Sequence, residues 1–102
     1  MKIEPAEISE NGVNEVYKNE AGEEQGFMYK ADGSGKQGDD VYFTASKDGI
    51  NYTFVIESYL TDSSTDVYKA AESLEIGKTY DLEGFLYWYN GPNPHITAIK
   101  AK

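Results

Sequence analysis

A chain of 102 residues allows one small domain and excludes a two-lobed enzyme with a cleft between its halves. Eighteen acidic residues against nine lysines, with no arginine, give a net charge of −9 and disfavour recognition of phosphate or guanine through bidentate guanidinium contacts. The absence of cysteine excludes disulfides, a thiolate nucleophile and zinc–thiolate sites, while 14% aromatic residues supply the apolar area that a polar chain needs to build a core.

Residues 1–24 carry Glu4, Glu7, Glu10, Glu15, Glu20, Glu23 and Glu24 against Lys2 and Lys18, with only scattered Ile3, Ile8, Val13, Val16 and Tyr17. Acid-rich and without a periodic apolar face, this segment reads as an acidic N-terminal arm or linker, the alternative being a short strand at Val13 to Lys18 that extends the sheet. The domain proper is then expected at 25–102.

From residue 25 the pattern changes. A short apolar stretch at 25–31 precedes a glycine-rich polar segment at 32–40, which reads as a flexible loop. Val41, Phe43 and Ala45 alternate with Tyr42, Thr44 and Ser46. Asp48-Gly49 then turns the chain into a second alternating run, 50–59, with Tyr52, Phe54 and Ile56 in one phase. Asp-Gly between two such runs predicts a hairpin. The stretch Thr61-Asp62-Ser63-Ser64-Thr65-Asp66 offers helix N-caps, Val67, Ala71 and Leu74 follow at helical spacing, and Gly77 stops the helix. Residues 79–89 read as a long strand with a bulge or bend at Gly84, followed by a tight connection at 90–94 and a last strand over 95–100. A bulge at Gly84 would exchange the two phases of that strand, Leu82, Leu86 and Trp88 in one and Phe85, Tyr87 and Tyr89 in the other, and so bury Phe85 and Tyr87.

The order strand, strand, strand, helix, strand, strand, together with Tyr80-Asp81-Leu82-Glu83-Gly84-Phe85-Leu86-Tyr87-Trp88-Tyr89-Asn90-Gly91 and the preceding Leu74-Glu75-Ile76-Gly77-Lys78-Thr79, resembles small bacterial OB-fold domains of unassigned role in extracytoplasmic proteins. The resemblance implies a mainly β fold: a five-stranded Greek-key OB-type barrel with one short helix between its third and fourth strands. It also implies a module of a larger secreted or lipid-anchored protein. Two departures, the aromatic cluster Phe85, Tyr87 and Trp88 and the lack of arginine, weigh against nucleic acid.

Ligands of this architecture lie across the second and third strands, between the loops expected at 32–40 and 90–94. If Val41, Phe43, Tyr52, Phe54 and Ile56 point inward, the outward face presents Tyr42, Thr44, Asn51, Thr53 and Val55, with Lys36 reaching in from the first loop and His95 from the last strand. Tyr42, Thr44, Thr53, His95, Lys36 and Tyr87 are therefore the expected ligand-binding residues, although a solvated strand pair shows the same pattern. His95 is the single histidine, so no histidine pair can hold a metal. Asp62-x-Ser64-x-Asp66 lacks the glycine and the glutamate of a calcium loop. No cofactor or metal is implied, and no nucleophile, base and stabiliser can be named together.

The expected function is a non-catalytic binding module for a protein, a glycan or another small polar ligand. The alternatives are a single-stranded nucleic-acid binder using Tyr42, Tyr87 and Tyr89 with lysines 30, 36, 47 and 100, and an acidic DNA mimic. No apolar run approaches the roughly 18 residues of a membrane span, and no basic start leads into an apolar leader, so neither membrane insertion nor a signal peptide is expected.

Overall fold

The computed structural model describes residues 1–10, 13–58, 64–88 and 92–101, with the backbone alone at 9–10, 13–14, 85–88 and 92–95. The chain is mainly β. Its strands are β1 (Lys2–Glu4), β2 (Glu7–Glu10), β3 (Val13–Val16), β4 (Met28–Tyr29), β5 (Val41–Lys47), β6 (Ile50–Ile56), β7 (Tyr80–Trp88) and β8 (Pro92–Ala101), with one helix, α1 (Asp66–Ala71), between β6 and β7.

The β5–β6 hairpin forms as its sequence predicts. Asp48 and Gly49 both adopt positive φ, +54° and +80°, the pair of left-handed conformations that a two-residue turn needs to match strand twist. The resulting register sets Val41 against Ile56, Phe43 against Phe54 and Ala45 against Tyr52. Directly opposed residues share a face, and this face is the core. There Val41, Phe43, Ala45 and Ile56 join Ile3, Val67, Tyr68, Ala71, Leu74, Tyr80 and Ile96, and the Phe43 and Phe54 rings stack at 5.5 Å.

Helix α1 begins where the capping pattern places it. The Thr65 side chain accepts from the Tyr68 amide at 3.3 Å, and the helix buries Val67, Tyr68 and Ala71. The helix ends earlier than expected, at Ala71 with Glu72 as its C-cap, so Gly77, at φ +88°, does not stop it. Of the stretch Asp62-x-Ser64-x-Asp66, residues 62 and 63 lie outside the described residues, and Asp66 opens the helix.

β7 and β8 pair along their whole length, with a register shift at Glu83/Gly84, so the irregularity at Gly84 is present. The extra residue, however, belongs to β8: Glu83 pairs Ala98 and Gly84 pairs Ile96, leaving Thr97 between them. The shift lets Ile96 be buried with the core and Ile99 pack against it although the two are three apart. The Thr97 hydroxyl donates to the Glu83 carbonyl at 3.3 Å. β8 also begins earlier than expected, since Pro92 and Pro94 already pair Trp88 and Leu86. A proline lacks the amide for a second ladder, and the register partner of β6 on β8 is His95, opposite Val55, rather than either proline.

The N-terminal segment departs most from expectation. β1 is part of the main sheet, pairing β5 through Lys2/Ser46, Ile3/Ala45 and Glu4/Thr44, and Ile3 has no exposed surface. Residues 2–4, within the segment read as an arm, are therefore built into the main sheet. β3 does not extend that sheet; it forms a separate two-stranded hairpin with β2. The main sheet runs β1-β5-β6-β8-β7, with β4 beside β5. Because β6 occupies one edge of β5, β1 and β4 share the other, β1 along Thr44 to Ser46 and β4 along Val41 and Tyr42. On its far side β1 meets the start of β7. Met1 and Tyr80 exchange backbone hydrogen bonds of 2.7 and 2.8 Å, and Ile3 donates to Lys78 and accepts from Gly77.

Candidate functional site

The face of β5 and β6 opposite the core is built by the same register. Tyr42 stands against Val55, Thr44 against Thr53 and Ser46 against Asn51. β4 and β1 add Met28 beside Tyr42, Glu4 beside Thr44 and Lys2 beside Ser46. Across β6, His95 aligns with Val55, and Phe85 of β7 with His95. The backbone thus sets Met28, Tyr42, Val55, His95 and Phe85 in one row across five strands.

The expected site residues divide along this row. Tyr42 is half-buried and Thr53 is exposed, so both can meet a ligand. Thr44 is 2% exposed, as are Met28 and Val55, which corrects the expectation of an open polar face: its centre is buried. The cause is the flanking of β5 on both edges, which leaves Thr44 between Glu4 and Thr53. Lys36 is exposed in the 32–40 loop with its amide held by the Asp39 carboxylate at 2.9 Å. His95 and Tyr87 are placed by backbone register alone, and their side chains, like residues 89–91, lie outside the described residues.

The surroundings of Tyr42 are acidic. Burial raises the pKa of its phenol, and the charges of Glu57 and Asp40 raise it further. Asp40 in turn accepts from the Ser58 amide and hydroxyl at 2.8 and 2.9 Å, which ties the ends of β5 and β6 together. Glu57 continues the phase of Thr53 and Val55. Met28 was not legible in the sequence, because a two-residue strand shows no period.

The 32–40 loop beside this face is fastened rather than free. Asp32 accepts from the Ser34 amide at 3.0 Å, and the Tyr68 hydroxyl accepts from the Gly38 amide at 2.9 Å while donating to the Asp39 carbonyl. Gly33, at φ +74°, has the Tyr17 ring so close that a Cβ would lie 2.5 Å from it. Tyr29 of β4 is partly buried against the core, and its hydroxyl donates to the Glu72 carboxylate. Among the described residues no group of three or more His, Asp or Glu side chains converges to hold a metal ion, and no helix is long and apolar enough to cross a membrane. No protein-family model matches the chain, and no curated protein or solved structure compared with it matches significantly.

Proposed function

We propose that the chain is a non-catalytic OB-type binding module whose ligand is a neutral peptide or glycan. Four features support the OB-type reading: the strand order β1-β5-β6-β8-β7, the parallel pairing of β6 with β8, the helix between β6 and β7, and the backbone bonds from residues 1–3 to residues 77–80. The barrel itself and its Greek-key path belong to this proposal.

The observation that carries the functional reading is the half-buried Tyr42 in a row with Val55 and His95, flanked by Thr53 and by the charges of Asp40 and Glu57. A phenol set in an apolar floor offers a stacking surface and one hydroxyl, which suits a sugar ring or a peptide bond. The acidic neighbours and the net charge of −9 repel a polyanion. Titration of the labelled chain with mixed-sequence single-stranded DNA at ~150 mM salt tests this, because phosphate contacts impose a steep salt dependence. No saturable shift is expected at Tyr42 or Thr53; saturable shifts there would put the nucleic-acid reading first.

A further inference from the structure

A concavity lies on the side of the β4 edge away from the Tyr42 row. Met28 faces the Tyr42 row, whereas its neighbours Phe27 and Tyr29 pack against the core cluster. On that opposite side a groove of about 310 Å³ runs between residues 24–27 and 74–76, lined by Glu24, Gln25, Gly26, Phe27, Leu74, Glu75 and Ile76. Its shape is set by contact. Gly26 is buried against the chain at Leu74, so close that a Cβ on Gly26 would lie 2.7 Å from the Leu74 carbonyl oxygen. Glycine is what allows the two walls to approach.

We propose that this groove docks a short extended segment of a partner protein that carries one apolar side chain flanked by lysine or arginine. The floor supplies the apolar part: Phe27 is partly buried, Leu74 is 5% exposed, and Ile76 leaves 41% of its surface to solvent. The volume stands at the lower limit of about 300 Å³ for small-molecule pockets, so it accepts a side chain or two rather than a whole metabolite.

The rim supplies the charge. Glu24 is exposed, and the Glu75 side chain is 61% exposed with Lys78 at 2.8 Å as its partner. An ion pair this exposed contributes little and exchanges readily. A guanidinium or ammonium of the partner can therefore take the Glu75 carboxylate while its methylene stem covers Ile76. Glu23, beside Glu24, adds to the negative potential along the same wall. The site is independent of the Tyr42 face, and either can fail without the other.

The test is a titration of the labelled full chain with the blocked tripeptides Arg-Leu-Arg, Arg-Gly-Arg and Glu-Leu-Glu, at low salt and at ~150 mM. Saturable shifts at the amides of Gly26, Phe27, Leu74 and Ile76 are expected with Arg-Leu-Arg, and about tenfold weaker binding, 1.4 kcal/mol, with each of the other two. Glu24→Lys with Glu75→Lys should abolish the response. Since both residues are exposed, the variant should keep the wild-type spectrum elsewhere; if it does not, Glu75→Gln and Ile76→Ser serve in its place, each weakening binding several-fold. Equal responses to all three peptides, or shifts confined to Tyr42 and Thr53, would overturn the proposal. So would movement of the groove amides with protein concentration alone, which would make a second copy of the chain the occupant.

Discussion

Tyr68 and Gly38, thirty residues apart, are joined by a hydrogen bond of 2.9 Å from the Gly38 amide to a phenol with no exposed surface. The same hydroxyl donates to the Asp39 carbonyl, so the helix holds the loop beside the Tyr42 face by two bonds. Tyr68→Phe keeps the ring in the core and leaves the Gly38 amide and the Asp39 carbonyl without it. A loss of about 1–3 kcal/mol is expected in urea unfolding, with faster amide exchange at Gly38. Unchanged exchange at Gly38 would mean that the loop is held by its own turns.

Deleting residues 1–24 should abolish the cooperative thermal transition. β1 supplies Ile3 to the core and the backbone partners of both β5 and residues 77–80. In the full chain, Ile3→Ala should cost about 2–5 kcal/mol. A truncated chain that still melts cooperatively would return this segment to the role of an arm.

Gly33 and Gly22 separate contact from conformation. Both have positive φ, +74° and +79°, but a Cβ meets the Tyr17 ring at 2.5 Å in the first and nothing within 4 Å in the second. Gly22→Ala should cost only the conformational penalty of about 1 kcal/mol, and Gly33→Ala distinctly more, read as the difference in urea midpoint. Equal losses would show that Tyr17 yields without cost.

Three tyrosines predict the response to alkali. Burial is the first cause of the raised pKa of Tyr29, Tyr42 and Tyr68, and in Tyr29 the bond to Glu72 adds to it. Because the unfolded chain ionises first, near the ordinary value of 10.0, stability is complete below that pH and declines as pH rises above it. Tyr29→Phe should flatten the decline above pH about 10, measured by urea midpoints. An unaltered slope would exclude Tyr29 as its source.

What the sequence made legible was whatever repeats or has turn chemistry. Asp48-Gly49 between alternating runs specified the hairpin and its register, and Thr65 with Val67 and Ala71 specified the helix, although Leu74 falls beyond its end. Gly84 marked the irregular strand pair, but the additional residue fell on Thr97 of the partner strand, which a single strand's pattern cannot show. β1 and β4 were illegible because three and two residues show no period, and their sheet positions come from pairing with β5. That pairing buries Thr44, so a threonine in the outward phase lost the exposure its alternation predicted.

The most direct measurement of the functional account is amide shift mapping of the labelled chain against a panel of neutral oligosaccharides and uncharged peptides, repeated with Tyr42→Ala. The account predicts that at least one panel member gives saturable shifts along Tyr42, Thr53, Val55 and His95, and that Tyr42→Ala removes them while preserving the remaining spectrum. It is contradicted if no panel member moves that row, or if the row responds equally in the Tyr42→Ala chain.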